Sequence, residues 1–121
     1  RCRTGWRWVH HLFPPGLERP RRLRDRADLP RPAAHSPAPT SPDLLFDGTE
    51  FHEFDARRSA TPHDHGAGDT LSAAIACALA QGYPMPEAVA FGKAWVTECL
   101  RAAYPLGSGH GPVSALFRLG S

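Results

Sequence analysis

Prolines divide this chain into two parts with different folding prospects. Seven of the 13 prolines lie within the first 40 of the 121 residues. Proline fixes φ and lacks an amide hydrogen, so it interrupts both helices and β-ladders. We therefore predict that residues 1–40 are irregular and that the regular elements lie within residues 41–121.

Charge changes at the same boundary. Residues 1–40 hold nine arginines against three acidic residues, whereas residues 41–121 hold five basic and nine acidic residues. The first segment has three interpretations: a solvated basic tail, an arm that binds nucleic acid or a protein partner, or the product of a shifted reading frame in GC-rich DNA. Because a solvated tail is the simpler explanation of an arginine run, we expect no nucleic-acid partner.

Several classes of protein are excluded by composition. No apolar run approaches the roughly 20 residues of a membrane span, and the first residues lack the apolar core of a secretory signal. The three cysteines show no CxxC spacing, so we predict a reducing, cytoplasmic location without a membrane partner. Cys77 and Cys99 are expected to be core thiols.

The second part begins with a hairpin pattern. An apolar run at 44–46 and an alternating run at 49–54 flank Asp47-Gly48, a pair typical of the type I′ turn. In the second run Phe51 alternates with His52, which predicts one apolar and one polar face, although Phe54 departs from this alternation.

Two helices are predicted after the hairpin, at about 69–81 and 86–103. Gly82 suits the end of the first, and Pro86 suits the first turn of the second. Each has an apolar stripe at helical spacing. The first stripe contains Leu71, Ala74, Ile75, Ala78 and Leu79; the second contains Val89, Ala90, Trp95, Val96, Cys99 and Leu100.

The stretch before the first helix carries the chemistry. Gly66-Ala67-Gly68 opens directly into the helix, whose first amides have no internal partner and whose dipole is positive at this end. We predict that these three residues form an anion hole suited to a phosphoryl group. Asp69 has two interpretations: a general base acting beside the anion hole, or a helix cap.

This stretch, 65–74, resembles the anion-hole motif of the ribokinase-like superfamily. With Asp47-Gly48, the run 93–96 and the Gly-His-Gly-Pro tail at 109–112, it is similar to the C-terminal part of the hydroxymethylpyrimidine/phosphomethylpyrimidine kinases. The resemblance implies an α/β fold: a hairpin and two helices, forming the C-terminal portion of a three-layer α/β/α domain. Much of the sheet would be missing, so we expect an exposed apolar patch.

The resemblance also implies an activity. A member would phosphorylate hydroxymethylpyrimidine and its monophosphate in thiamine biosynthesis, with ATP as co-substrate, Mg²⁺ bridging the phosphates and Asp69 as the base. Pyridoxal-type kinases share the Gly-x-Gly-Asp element, and a non-enzymatic fragment with a basic arm is the third alternative. Self-association stays open. Many pyrimidine kinases have Cys at the position of Asp69.

Two features limit the implied activity. The family's chain is roughly twice as long, and nothing in residues 1–40 matches its preceding strand and Lys-Gly-Gly-His turn, so we expect little activity from this chain alone. A frameshift or truncation explains that absence.

The remaining candidates are one lysine and several histidines. Lys93 on the second helix is a candidate nucleotide ligand, whereas Trp95 is expected in the core rather than against a base. His63 and His65 are spaced for zinc, but no cysteine completes the set, so we predict no metal ligands there.

Overall fold

A computed structural model describes residues 21–23 and 39–119 of the chain. The strands form one antiparallel sheet with β3 in the middle, and two helices follow. In chain order the elements are β1 (Arg21–Leu23), β2 (Asp43–Phe46), β3 (Phe51–Phe54), α1 (Ala67–Ala80), α2 (Met85–Arg101) and a 3₁₀ helix (Ala115–Leu119). The predicted hairpin and two helices are therefore present.

Strand β1 is a departure from the irregular segment predicted for residues 1–40. It pairs with β3, with Arg21 opposite Glu53 and Leu23 opposite Phe51. These three residues lie in a stretch between Pro20 and Pro30 that contains no other proline, so their amides can join a ladder. The remainder of the predicted irregular segment, apart from Pro39 and Thr40, lies outside the described residues.

The turn between β2 and β3 is not the type I′ turn predicted from Asp47-Gly48. Phe46 lies opposite Phe51, so the connection has four residues. Gly48 has a φ of 98°, but Asp47 does not have the positive φ that a type I′ turn requires. Instead, its Oδ1 atom accepts hydrogen bonds from the amides of Thr49 and Glu50, both at 2.9 Å, and this bonding closes a wider turn.

The predicted polar face of β3 is in fact the buried face. His52 is 3% exposed, and Phe54, on the same side of the strand, is 5% exposed. Of the two ring nitrogens of His52, Nε2 lies 2.7 Å from Asp47 Oδ2, whereas the buried Nδ1 atom has no partner among the described residues. The Glu50 amide, His52 and the Thr49 amide together lower the pKa of the Asp47 carboxyl to about 2, so it stays ionised in nearly all conditions.

The opposite face of the hairpin carries large exposed apolar side chains. Leu44 is 42% exposed and Phe46 is 54% exposed. Among the described residues, the ring of Phe46 pairs with one other aromatic ring, that of its cross-strand neighbour Phe51, at a centroid distance of 4.7 Å. A three-layer fold would cover this face with a further layer.

The two helices pack through small side chains. Ala74 and Ala78 of α1 and Ala88 of α2 are buried. The thiol of Cys99 is a core thiol as predicted, and burial raises its pKa. The prediction for Cys77 was wrong, since it is exposed on α1. Neither helix in the described ranges has the length and apolar content needed to cross a membrane.

Gly92 marks a close approach of α2 to α1. A Cβ atom placed there would lie 2.6 Å from Ile75 Cγ1 and 3.3 Å from the carbonyl oxygen of Leu71. A methyl group at this point must push the helices apart.

We expect Gly92→Ala to lower the free energy of unfolding by about 1–3 kcal/mol relative to Gly68→Ala. Alanine favours the helix at both positions, and more at the interior Gly92 than in the first turn at Gly68, so a greater loss at Gly92 must come from packing. Gly68 has open space where its Cβ would be. Urea unfolding followed by circular dichroism measures the difference. Equal stability of the two variants would contradict the close packing of α1 against α2.

Candidate anion-binding and phosphoryl-transfer site

The predicted glycine turn lies at the start of α1. Gly66 has a φ of 83°, a conformation that favours glycine, and its carbonyl oxygen accepts the first helical hydrogen bond from the Thr70 amide at 2.9 Å. Helix α1 begins at Ala67, two residues earlier than predicted. The turn therefore presents the amide end of a 14-residue helix to its surroundings.

The three predicted anion-hole residues are not equivalent. The amide of Ala67 donates to the carbonyl oxygen of Asp64 at 3.1 Å, which closes the turn. Within residues 39–119, no hydrogen bond occupies the amides of Gly66 and Gly68. Of the three predicted residues, these two therefore have amides available to an anion.

Asp69 is the third residue of α1 and is exposed. The start of this helix has no side-chain capping hydrogen bond among the described residues, and its N-cap position is held by Gly66. The capping interpretation of Asp69 therefore has no support in the geometry. The carboxylate is left at the rim of the turn, near the positive end of the helix dipole.

A second segment lies against the loop that enters the turn. The amide of His65 donates to the carbonyl oxygen of Gly111 at 3.2 Å, and the amide of Val113 donates to the carbonyl oxygen of His65 at 3.1 Å. His65 and Pro112 thus form a parallel bridge. His110 lies at the edge, with its Nδ1 atom 3.3 Å from Asp64 Oδ1. The predicted Gly-His-Gly-Pro tail therefore contacts the anion-hole loop directly.

A cavity of about 420 Å³ opens beside the glycine turn. Asp64 and Ala67 line it from the turn, and Arg57 and Arg58 line it from the loop that follows β3. The sequence reasoning missed these two arginines, although an Arg pair in the acidic part of the chain was a usable signal. The other residues that line the cavity are Ser41, Ala56, Ser59, Thr61, Lys93, Val96, Thr97 and Leu100.

Lys93 lies on the cavity wall but is bound within the protein. Its Nζ atom donates to the carbonyl oxygen of Ser41 at 2.6 Å and to Asp43 Oδ2 at 2.5 Å. Its side chain is 9% exposed. The amine therefore holds β2 against α2, and a contact with nucleotide stays a prediction.

The remaining candidates lie away from the turn. Trp95 is half-buried and packs against Phe91 and Phe117, at centroid distances of 5.9 and 5.0 Å, in agreement with a core position. Asp47, Glu50 and His52 bring three possible metal ligands together in the hairpin. Because the first and last of these are hydrogen bonded to each other, we assign them to the turn.

Comparison with known proteins places this chain in a family. The family model described as phosphomethylpyrimidine kinase matches residues 33–114. This chain belongs to the phosphomethylpyrimidine kinase family. The hydroxymethylpyrimidine/phosphomethylpyrimidine kinase of Mycobacterium bovis is 69% identical over 77 residues, which are 64% of this chain and 28% of that protein. The thiamine biosynthesis bifunctional protein of Geobacter sulfurreducens is 49% identical over 80 residues, 66% of this chain and 16% of that protein.

Solved structures agree with the fold. The pyridoxal kinase of Staphylococcus aureus in complex with AMP-PCP and pyridoxal superposes with a TM-score of 0.63 and 32% identity, over 65% of this chain and 29% of that chain. The predicted ribokinase-like α/β fold is confirmed. This chain spans less than a third of the length of these proteins.

Proposed function

We propose that this chain supplies the phosphoryl-transfer end of a hydroxymethylpyrimidine/phosphomethylpyrimidine kinase of thiamine biosynthesis. The observation that supports it most directly is the carboxylate of Asp69, which makes no capping hydrogen bond to its helix and lies next to the free amides of Gly66 and Gly68. Amides alone would suit simple phosphate binding. A carboxylate at the same point suits a reaction in which an acceptor oxygen loses a proton as it attacks a phosphoryl group.

In this mechanism the chain's own residues have two roles. Asp69 takes the proton from the hydroxymethyl oxygen of the substrate, or from a phosphate oxygen of the monophosphate. The amides of Gly66 and Gly68 donate to the transferring phosphoryl group as negative charge develops on it. The Ala67 amide, bonded to Asp64, keeps the turn closed rather than contacting the anion.

The cavity beside the turn supports ATP as the phosphoryl donor. The side chains of Arg57 and Arg58 supply positive charge next to a space of about 420 Å³, and guanidinium groups suit phosphate oxygens. Mg²⁺ would be held mainly by the phosphates. The carboxylate of Asp64 is exposed at the turn and offers the hard oxygen ligands that this ion prefers. When bound, the ion neutralises phosphate charge.

Relatives favour the pyrimidine substrate over pyridoxal. The proteins at 69% identity are named as pyrimidine kinases, whereas the pyridoxal kinase structure is 32% identical. A cytoplasmic location follows from thiamine biosynthesis on small soluble metabolites. The alternative of a non-enzymatic basic arm concerns residues that lie largely outside the described ranges.

Tripolyphosphate provides a direct test of the anion site. We expect its addition to shift the amide NMR signals of Gly66 and Gly68 in the isolated chain, with little change at the start of α2. Gly66→Ala should weaken binding about tenfold, because a positive φ costs a non-glycine residue roughly 1–2 kcal/mol and the turn must move.

Gly82→Ala is the matched control, since Gly82 also has a positive φ, at 87°, with open space around its Cβ position, and it lies beyond the opposite end of α1. It should bind tripolyphosphate as the unmodified chain does. Shifts spread evenly over the surface, or equal affinity in both variants, would contradict an anion site at the glycine turn.

A further inference from the structure

The Gly-rich segment at 107–111 has a polar contact that the phosphoryl-transfer residues do not explain. The amide of Gly111 donates to the Nδ1 atom of His63 at 2.9 Å. Gly111 is buried, so this amide has no access to solvent as an alternative partner. An aromatic ring nitrogen thus serves as the acceptor that a β-ladder would normally supply.

Space at this contact admits only glycine. A Cβ atom on residue 111 would lie 2.1 Å from the carbonyl oxygen of Tyr104 and 3.0 Å from His63 Nδ1. The backbone of Gly111 is therefore enclosed between the carbonyl group of Tyr104, which follows α2, and the imidazole ring of His63. This close approach fixes the position of the ring as well as that of the segment.

The hydrogen bond between Gly111 and His63 is one of three that join segment 111–113 to segment 63–65. His63 accepts from Gly111, and both backbone polar groups of His65 are bonded to Gly111 and Val113. One residue further on, the amide of Ser114 donates to the carbonyl oxygen of Cys99 at 3.0 Å, which ties the same segment to α2. The backbone entering Gly66 is thus tied to α2 through segment 111–113.

We infer that His63 is a positioning residue of the glycine turn: its Nδ1 atom accepts the Gly111 amide and holds segment 111–113 against segment 63–65. The consequence is that residues 66 and 68 enter the turn with their amides already directed. The effect on anion binding rests on the proposed function, whereas the hydrogen bond and its ordering effect do not.

The contact specifies the chemical state of the ring. An Nδ1 atom that accepts a hydrogen bond from an amide carries no proton, so the neutral ring must carry its proton on Nε2. A general structural role for a half-buried histidine would require no particular tautomer. The tautomer is therefore a readout specific to this contact.

Two variants of His63 and one control test the inference in the full chain. His63→Leu removes the acceptor, and His63→Asn retains an oxygen acceptor close to the position of Nδ1. His110→Asn alters a histidine of the same region that is exposed and only loosely bonded to Asp64. The measurements are amide hydrogen exchange at His65 and Gly111, the ¹⁵N tautomer signature of His63, and tripolyphosphate affinity.

We expect His63→Leu to speed exchange of the Gly111 amide and to weaken tripolyphosphate binding, each about tenfold, the equivalent of one lost hydrogen bond. His63→Asn should recover most of both, and His110→Asn should change neither. The inference is overturned if His63→Leu leaves exchange unaltered, or if His63→Asn is as impaired as His63→Leu.

The unmodified chain keeps the test decisive if His63→Leu does not fold. A neutral His63 ring with its proton on Nδ1 overturns the inference without any variant. Failure of the unmodified chain to bind tripolyphosphate counts against the proposed function only, because exchange and tautomer still decide the role of His63.

Discussion

Joining residues 41–121 to the part of the Mycobacterium bovis kinase that this chain does not match is expected to raise pyrimidine phosphorylation by roughly 10⁵-fold or more over the chain alone. The chain spans 28% of that relative, and its hairpin leaves an apolar face exposed. Positioning two substrates for in-line attack supplies about 7–11 kcal/mol of rate enhancement, and it needs both sides of a binding pocket. The measurement is ATP-dependent turnover of hydroxymethylpyrimidine.

The control for this experiment is a second fusion that retains residues 1–40 at the junction. It separates the effect of adding a domain from the effect of removing the basic segment. Turnover by the 121-residue chain alone at a rate near that of the fusion would contradict the prediction.

Replacing Asp69 with Asn in the active fusion is expected to lower kcat by roughly 10²–10⁴-fold with little change in KM for ATP. The amide side chain is close in size but cannot accept the substrate proton. Glu87→Gln is the matched control, because Glu87 is likewise the acidic residue in the first turn of its helix but lies on α2. Both changes lose a similar helix-dipole interaction of about 0.3–1 kcal/mol.

Only the Asp69 change removes a carboxylate from the glycine turn. Equal activity of the two variants would reduce Asp69 to a charge that favours its helix. A rise in KM at unchanged kcat would instead assign it to nucleotide binding.

The hairpin shows how far local sequence predicts structure. Its two strands could be located from the apolar run before Asp47-Gly48 and the alternating run after it, because hydrophobic patterns of this kind act over a few residues. The type of turn was predicted wrongly, because the Asp47 side chain accepts hydrogen bonds from the amides of Thr49 and Glu50. The face of His52 was also misassigned. Strand β3 packs against α2, which begins more than 30 residues further along the chain, and period-two alternation cannot report such a contact.

The site divides in the same way. The glycine turn and Asp69 are contiguous in sequence, so their proximity at the start of a helix could be predicted. The hydrogen bond between His63 and Gly111 joins residues 48 positions apart, and the contact of Lys93 with Asp43 spans 50. Neither pairing follows from spacing or composition, because both require the packed helices to bring distant segments together.

The buried contact of Lys93 has a practical consequence, because no other lysine occurs in the chain. Amine-reactive reagents have one side-chain target, and its Nζ atom is held between Ser41 and Asp43. Modification can proceed only when β2 separates from α2. The rate of acylation at this position therefore measures how often the hairpin lifts from the helices, a local opening that whole-molecule unfolding does not resolve.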